Sequence, residues 1–315
     1  MSKRVVQTSL FLALASAASH SFAGGFAINE QSVSSMGTAF AGRSSSAEDA
    51  STVFGNPAGM ARIKREQVSG GIALINAKTD IDDASGATRG SNDGDMVPFI
   101  GAPMGYYVKP LDDNWSFGLG LYVPFGLVTD YERNFQGRYH GDRSEVRVIT
   151  LQPTLSYRFN EQLSVGFGPT INRIDGELTS ATPGTRDGKV TIQGNDTALG
   201  FNLGVLFEIN EQSRIGMTYH SMVDYTLKGD TQIEGSGFGP FSGSKFDTTL
   251  ALKTPESAKR RLDPICRQYL DTLEPPGRDS RCKQRRTGTA QRKNWQYRRA
   301  AKLARYVVTC RGRCL

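Results

Sequence analysis

The chain has 315 residues, 35 glycines, 38% hydrophobic residues and a mean hydropathy of −0.39. This composition is too polar for a bundle of membrane-spanning helices, and no run reaches the roughly 20 consecutive apolar residues that such a helix requires. The formal net charge of +7 conceals two opposite segments, because residues 1–255 carry 21 basic and 26 acidic residues whereas residues 256–315 carry 17 basic and 5 acidic residues.

The first 23 residues have the pattern of a secretory signal peptide. Lys3 and Arg4 precede a short apolar stretch, and Ser21-Phe22-Ala23 resembles a cleavage site with small residues. We therefore expect the mature chain to begin at Gly24 after export.

From about residue 66 onward, apolar and small polar residues alternate with a period of two, which is typical of strands with one apolar face. In the clearest example, Leu163, Val165 and Phe167 alternate with Ser164 and Gly166. The pattern predicts eight strands, at 67–78, 97–109, 115–125, 146–159, 163–172, 199–209, 213–227 and 245–253.

The connections between these strands alternate in length. Short polar turns are predicted at 110–114, 160–162 and 210–212, and long polar loops at 80–96, 128–145, 176–197 and 228–244. Bacterial outer-membrane barrels have this arrangement, with apolar side chains facing lipid and polar ones facing the lumen. We predict an all-β fold, a transmembrane antiparallel β-barrel. The alternatives are an exported soluble β-sandwich and a structural or adhesive barrel whose loops contact partners.

A segment at 24–65 is rich in small residues and does not alternate. It resembles the N-terminal plug of the FadL family of outer-membrane transporters for long-chain fatty acids, whose relatives admit aromatic hydrocarbons. The resemblance is carried by Gly25-Phe26, Asn29-Glu30, Met36 to Gly42, Glu48-Asp49, Asn56-Pro57-Ala58-Gly59, Pro124-Phe125-Gly126-Leu127 and Gly137-Arg138-Tyr139. It covers residues 24–255 and implies a barrel of about fourteen strands, a plug inside the lumen, passive uptake of a hydrophobic molecule, no enzyme activity and no cofactor.

The resemblance also implies where ligand binds. Phe26 and Asn56-Pro57-Ala58 would border the ligand pocket, the latter beside an irregularity in the third strand; a plain turn is the alternative for Asn56-Pro57-Ala58. Pro124 and Gly126 give a physical reason for the irregularity, because proline cannot donate to the sheet and glycine weakens it. We expect a kink at Pro124-Phe125-Gly126 that opens the wall sideways into the membrane.

Four further residues are predicted to face the lumen: Tyr107, Tyr122, His220 and Met222. We expect no catalytic group and no metal site, since only His140 and His220 remain after the signal peptide. The expected partners are a hydrophobic small molecule, outer-membrane lipid and lipopolysaccharide. We expect no nucleic-acid partner and a monomer.

Residues 256–315 differ from everything before them. The alternation ends, arginine becomes frequent, and all four cysteines lie here: Cys266, Cys282, Cys310 and Cys314. We predict an abnormal tail produced by a shifted reading frame; a genuine basic module is the alternative. The predicted units are thus 1–23, 24–65, 66–255 and 256–315. Because eight strands close only into a narrow, filled barrel, we expect a truncated product that folds poorly and is non-functional.

Overall fold

The computed structural model describes residues 25–79, 81, 88–92, 94–184, 187–210 and 213–264. The predicted signal peptide and all four cysteines lie outside these residues. The described chain forms one antiparallel sheet of ten strands: β1 (Gln67–Ile75), β2 (Ile100–Pro110), β3 (Trp115–Asp130), β4 (Arg143–Arg158), β5 (Leu163–Thr182), β6 (Gly188–Asn210), β7 (Ser213–His220), β8 (Val223–Glu234), β9 (Lys245–Thr254) and β10 (Ser257–Pro264).

Helical structure in the described residues is short. It consists of one α-helical turn, α1 (Thr52–Gly55), and three 3₁₀ segments, at Ser34–Thr38, Pro57–Arg62 and Ser236–Phe241. No helix in the described part of the chain is long and apolar enough to cross a membrane.

The ten strands make eight passes, as many as the alternation predicts. Strand β6 pairs with β7 at one end and with β8 at the other, so β7 and β8 are two segments of one interrupted pass. Likewise β9 pairs with β8 and β10 with β7, which makes β9 and β10 a second interrupted pass. Among the described strands, β1 and the last pass do not pair with each other, so the sheet is open.

The two faces of the sheet differ as predicted. The face that contacts the N-terminal segment carries buried polar side chains, namely Ser116, Thr150, Gln152, Thr154, Ser156, Ser164, Thr170, Asn172, Asn202 and Thr218. The opposite face carries exposed apolar side chains, among them Leu119, Leu121, Leu151, Leu155, Phe167, Ile171, Leu199, Phe201, Leu203, Val205 and Phe207. This inversion of the usual burial pattern is typical of a wall that stands in lipid, and it confirms the predicted barrel class.

Several predicted boundaries are wrong; β8, for instance, runs to Glu234, inside the loop predicted at 228–244. The long loop predicted at 176–197 is mostly strand, because β5 continues to Thr182 and β6 starts at Gly188, and the two pair up to this point. Polar residues such as Glu177 and Gln193 occupy this extension, so its sequence lacks apolar alternation. The single strand predicted at 213–227 is interrupted at Ser221-Met222.

The boundary predicted at residue 255 falls in the interruption between β9 and β10. Beyond it, β10 pairs with β7 from Ser257↔His220 to Pro264↔Ser213. The segment predicted as an abnormal tail therefore begins with residues that take part in the sheet.

The N-terminal segment, residues 25–63, packs on the polar face of the wall. Its apolar residues Val53, Phe54 and Met60 are buried against Tyr106 and Tyr122 of β2 and β3. We call this segment the plug.

Candidate functional site: the plug and the cavity beside it

Side chains of the wall hold the plug through its backbone. Gln152 Nε2 donates to the Val53 carbonyl oxygen at 2.8 Å, Asn202 Nδ2 to that of Phe54 at 3.1 Å, and Thr218 Oγ1 to that of Gly55 at 2.9 Å. A buried carbonyl without a partner costs free energy comparable to a lost hydrogen bond. The polar inner face therefore supplies the acceptor groups of α1 with donors from β4, β6 and β7.

The segment Asn56-Pro57-Ala58 is fully or almost fully buried, but its place differs from the prediction. Asn56 Nδ2 donates to the Val205 carbonyl oxygen of β6 at 3.1 Å, and the Ala58 carbonyl oxygen accepts from Ser164 Oγ of β5 at 3.1 Å. A Cβ atom at Gly204 would lie 2.7 Å from Pro57 Cδ, so glycine permits this close approach.

These contacts correct the expectation that Asn56-Pro57-Ala58 lies beside the irregularity of the third strand. The segment anchors the plug to β5 and β6, and its three residues are not among those that line the cavity described below. The Asn56 side chain also accepts from the Ala58 backbone N–H at 3.0 Å, as in a capped turn.

The irregularity of β3 lies at Pro124. Tyr122 pairs with Thr150 of β4, whereas Phe125 pairs with Val148, so the β3 strand carries one extra residue. The start of the plug covers this bulge. Ile28 N–H donates to the Pro124 carbonyl oxygen at 2.9 Å, and Gly126 N–H donates to the Phe26 carbonyl oxygen, also at 2.9 Å.

Side chains strengthen the same contact. The rings of Phe26 and Phe125 lie 5.3 Å apart, and Gln31 Nε2 donates to the Val123 carbonyl oxygen at 2.6 Å. The plug therefore pairs with the wall like a short extra strand at the position where β3 departs from regular pairing with β4.

A cavity of about 220 Å³ lies between this bulge, the plug and the interrupted passes. It is lined by plug residues Ala27, Ile28, Asn29, Arg43 and Phe54 and by wall residues that include Tyr122, Pro124, Phe125, Thr170, Phe201, His220, Val223 and Tyr225. Both breaks in the wall, at Ser221-Met222 and at Pro255-Glu256, lie next to this cavity.

Two of the four predicted lumen residues line the cavity. Tyr122 is 2% exposed and its hydroxyl donates to Gln152 Oε1; its ring lies 4.9 Å from that of Phe54. The His220 ring lies 5.0 Å from that of Phe54 on another side.

The other two predicted lumen residues lie on the wrong face. Tyr107 stands opposite to buried Tyr106 in β2, and its hydroxyl donates to Glu66 Oε1 at 2.8 Å in an exposed position. Met222 is 48% exposed because the break after His220 shifts the alternation by one residue, so that Val223 and Tyr225 face inward instead.

Sequence reasoning missed Arg43, which lines the cavity from the plug. Its guanidinium lies 4.5 Å from the centre of the Phe40 ring and 5.3 Å from that of Phe54. Burial lowers the pKa of Arg43. A lone arginine in a segment of small residues has no spacing pattern that would single it out.

The outer connections form a polar network at the end of the wall away from the short turns. Arg138 Nε lies 2.6 Å from Asp187 Oδ2, and the Tyr139 hydroxyl donates to Asp187 Oδ1 at 2.8 Å. Arg138 Nη1 also donates to the Arg89 carbonyl oxygen at 3.0 Å. These contacts tie together three connections that are far apart in sequence. Within the described residues no group of three His, Cys, Asp or Glu side chains is placed to hold a metal ion.

Comparison with known proteins decides the family. A family model described as "Outer membrane protein transport protein (OMPP1/FadL/TodX)" matches residues 14–262, most of the chain. The chain belongs to this family. It is 29% identical over 257 residues to a long-chain fatty acid transport protein of Escherichia coli, covering 73% of this chain and 58% of that protein.

Solved structures of FadL-type proteins share the fold. A Pseudomonas aeruginosa FadL homologue superposes with a TM-score of 0.61 at 22% identity, covering 76% of this chain and 66% of that one. The Ralstonia pickettii toluene transporter superposes with a TM-score of 0.53 at 16% identity, covering 68% and 62% of the two chains. This FadL-family chain is thus an outer-membrane protein with a β-barrel fold, and it spans less than two thirds of the Escherichia coli relative.

Proposed function

We propose that the described residues form the plug and eight wall passes of a passive outer-membrane channel for hydrophobic compounds, either long-chain fatty acids or aromatic hydrocarbons. Family membership and the names of the relatives support this proposal. In the same proposal residues 1–23 are a signal peptide, residues 24–65 the plug, residues 66–264 the wall, because β10 pairs with β7 beyond the boundary predicted at 255, and residues 265–315 an added tail. The protein acts as a monomer in contact with lipid and lipopolysaccharide, and it is not an enzyme.

The cavity offers apolar side chains that a water-filled pore does not. Each CH₂ group exposed to water costs about 0.8 kcal/mol, so a hydrophobic solute gains from contact with Ile28, Phe54, Phe125 and Val223 along its route. All four of these residues line the cavity. Capture in this cavity is the first step of the proposed transport.

The observation that carries the proposal is the pairing of Phe26 and Ile28 with the β3 bulge. Two hydrogen bonds of 2.9 Å hold the plug over the one place where β3 and β4 lose register. Displacement of residues 26–28 would expose the bulge to the cavity on one side and to lipid on the other. We propose that ligand leaves sideways through this opening.

Deletion of Pro124 tests the route. The deletion removes the extra residue and restores regular pairing of β3 with β4, whereas Pro124→Ala keeps the residue count and serves as the matched control. Uptake of radiolabelled palmitate and toluene is measured in cells that lack their own transporter and produce this chain. Because the plug and the eight passes pack together, we propose activity in place of the non-functional product predicted from sequence. We expect uptake above the vector level for the parent chain, retention of at least half by Pro124→Ala, and loss to vector level on deletion.

Surface labelling and heat-modifiable migration show whether each variant reaches the outer membrane and folds. Parent chain that is inserted and folded but takes up neither compound would favour a structural or adhesive role. Uptake that survives the deletion would exclude the β3 bulge as the exit while leaving the channel function standing.

A further inference from the structure

Arg43 is the most deeply buried cation of the cavity. Only 9% of the residue is exposed, and its guanidinium lies against the rings of Phe40 and Phe54. Its Nη2 donates to the Asn29 carbonyl oxygen, but its Nε is buried and has no acceptor. One N–H group of a desolvated cation is therefore unused.

The charge of Arg43 is also not neutralised by a neighbour. Among the described residues, no carboxylate lies within the 4.0 Å limit of an ion pair with Arg43; Glu30 acts on it only through the longer-range electrostatic field. Removing an unpaired cation from water is unfavourable unless another group compensates. Arginine stays protonated even when burial lowers its pKa, so the cavity contains a permanent positive charge.

The backbone accommodates this arrangement at some cost. Ala39 and Phe40 both have positive φ angles, 51° and 60°, a conformation that non-glycine residues rarely adopt. The turn that they form places the Phe40 ring under the guanidinium. On the other side, a Cβ atom at residue 55 would lie 2.7 Å from Arg43 Cγ, so Gly55 leaves room for the arginine side chain.

The lining of the cavity combines apolar side chains with hydroxyl and amide groups such as those of Thr150, Thr170 and Asn172. Ile28, Phe54, Phe125 and Val223 share the lining with the arginine. Glu256 and Lys259 also line the cavity, but both are exposed and carry opposite charges. The cavity thus places one buried cation beside apolar side chains, which fits a molecule with an anionic head and an apolar body.

We propose that Arg43 binds the carboxylate of an amphipathic ligand and that this chain therefore selects fatty acids over neutral hydrocarbons. The inference rests on the proposed function and specifies its substrate class. Charge-assisted hydrogen bonds from guanidinium to carboxylate are about twice as strong as neutral ones, and the guanidinium has N–H donors besides the Nη2 group that contacts Asn29.

Binding of decanoate and 1-decanol to the purified 315-residue chain in amphipol, at pH 8, separates the charged head from the apolar body. Isothermal titration calorimetry gives the Kd of each ligand for the parent chain, Arg43→Gln, Arg43→Lys and the control Arg173→Gln. Arg173 lies on the outer face of β5, with a side chain that is 54% exposed. Circular dichroism and heat-modifiable migration verify that each variant is folded.

We expect the parent chain to bind decanoate about tenfold or more tightly than decanol, as a charged hydrogen bond implies. Arg43→Gln should remove this preference while the Kd for decanol stays within about twofold. Arg43→Lys should keep part of the preference because it keeps the charge, and Arg173→Gln should behave like the parent.

Each other outcome has a distinct meaning. Equal affinities of the parent chain for the two ligands, or an unchanged preference in folded Arg43→Gln, would overturn the role of Arg43 and leave the channel proposal intact. A parallel loss of both ligands in Arg43→Gln would make Arg43 a structural residue of the plug. Failure of the folded parent to bind either ligand would overturn the proposed function together with this inference.

Discussion

At the scale of single residues, polar side chains on the wall determine where the plug sits. Gln152, Asn202 and Thr218 come from three different strands, yet all three donate to consecutive carbonyl groups of residues 53–55. Each is buried, and removal of Asn202 or Thr218 would leave the carbonyl of Phe54 or Gly55 without this donor, at a cost of about 1–3 kcal/mol, whereas the Val53 carbonyl also accepts from Asn202. The inner face is therefore polar for a structural reason as well as because a lumen contains water.

The sequence alone could identify some of the residues on the inner face of the wall and not others. Alternation placed Tyr122 and His220 on the inner face. It failed for Tyr107, because Tyr106 and Tyr107 are both aromatic and the pattern gives no basis for choosing between them. It failed for Met222 because a break in the hydrogen-bonded pairing shifts the phase. Arg43 carries no periodic signal at all, and only its burial in the folded chain draws attention to it.

The contact of Asp187 with Arg138 and Tyr139 leads to a testable prediction about the outer connections. Hydrogen bonds from Arg138 and Tyr139 lower the pKa of Asp187. A lowered pKa in the folded state stabilises the loop contact above the ordinary carboxyl pKa of about 4, and this stabilisation is lost as pH falls through the folded-state value. We expect Asp187→Asn to speed tryptic cleavage after Arg133 or Arg138 at pH 7, since the mutant lacks the ion pair at every pH.

The matched control is Asp113→Asn, which removes the same charge from a short turn at the opposite end of the wall. Because the Arg138–Asp187 ion pair is exposed and screened by solvent, we do not expect its loss to change the global free energy of unfolding measurably. Equal cleavage rates in Asp187→Asn and the parent chain would show that the ion pair does not hold the outer connections together. Exchange of loop amides in the parent, followed from pH 7 to pH 3, provides a second measurement of the same transition.

At the scale of elements, the strands could be predicted wherever lipid imposes a pattern. Leu199, Phe201 and Leu203 alternate with small or polar residues because one face of β6 is apolar and exposed. The part of β6 that carries exposed apolar residues, 199–209, is called the apolar band. In residues 188–197, outside this band, β6 carries polar residues on both faces, and the alternation pattern predicts a loop. Water can satisfy both faces there, so no alternation is required, and the extension becomes visible only through its pairing with β5 and β8.

The position of the apolar band makes a prediction for β6. An arginine on the lipid face costs about 2–4 kcal/mol at the membrane midplane and about 0–1 kcal/mol near the interface. Leu203 is 42% exposed in the middle of the apolar stretch, whereas Thr197 is on the same face nearer the polar end. We expect Leu203→Arg to lower the free energy of unfolding in lipid vesicles by roughly 2–4 kcal/mol.

Thr197→Arg is the control and should lose no more than about 1 kcal/mol. Urea titrations of vesicle-inserted protein, followed by tryptophan fluorescence, to which Trp115 at the short-turn end of β3 contributes, give both values. Similar losses in the two variants would mean that residue 203 is no deeper in lipid than residue 197. If the Leu203→Arg variant were as stable as the parent chain and soluble without detergent, this would contradict the conclusion that the sheet is a membrane-spanning wall.

At the scale of the whole molecule, an open sheet of eight passes packs around the plug. A closed barrel of eight strands is narrow and filled by its own side chains. Here eight passes surround a plug whose residues Val53, Asn56, Ala58 and Met60 are completely buried against the wall. Among the described residues β1 and the β9–β10 pass do not pair with each other, as in a part of a larger barrel. The predicted count of passes was right, but alternation within strands carries no information about closure.

The open edges give the last prediction. Amides of β5 pair on both sides, whereas one side of β1 and of β9 is without a strand partner among the described residues. Backbone groups that lack partners exchange quickly with water, but in lipid each such group costs several kcal/mol. In amphipol, hydrogen exchange of the 315-residue chain should therefore be fast in residues 67–75 and 245–254 and slow in residues 163–182. The same measurement in lipid vesicles should show the edges protected only if they have acquired strand partners. Uniform protection of all passes in amphipol would mean that β1 and the last pass meet, which would contradict an open sheet.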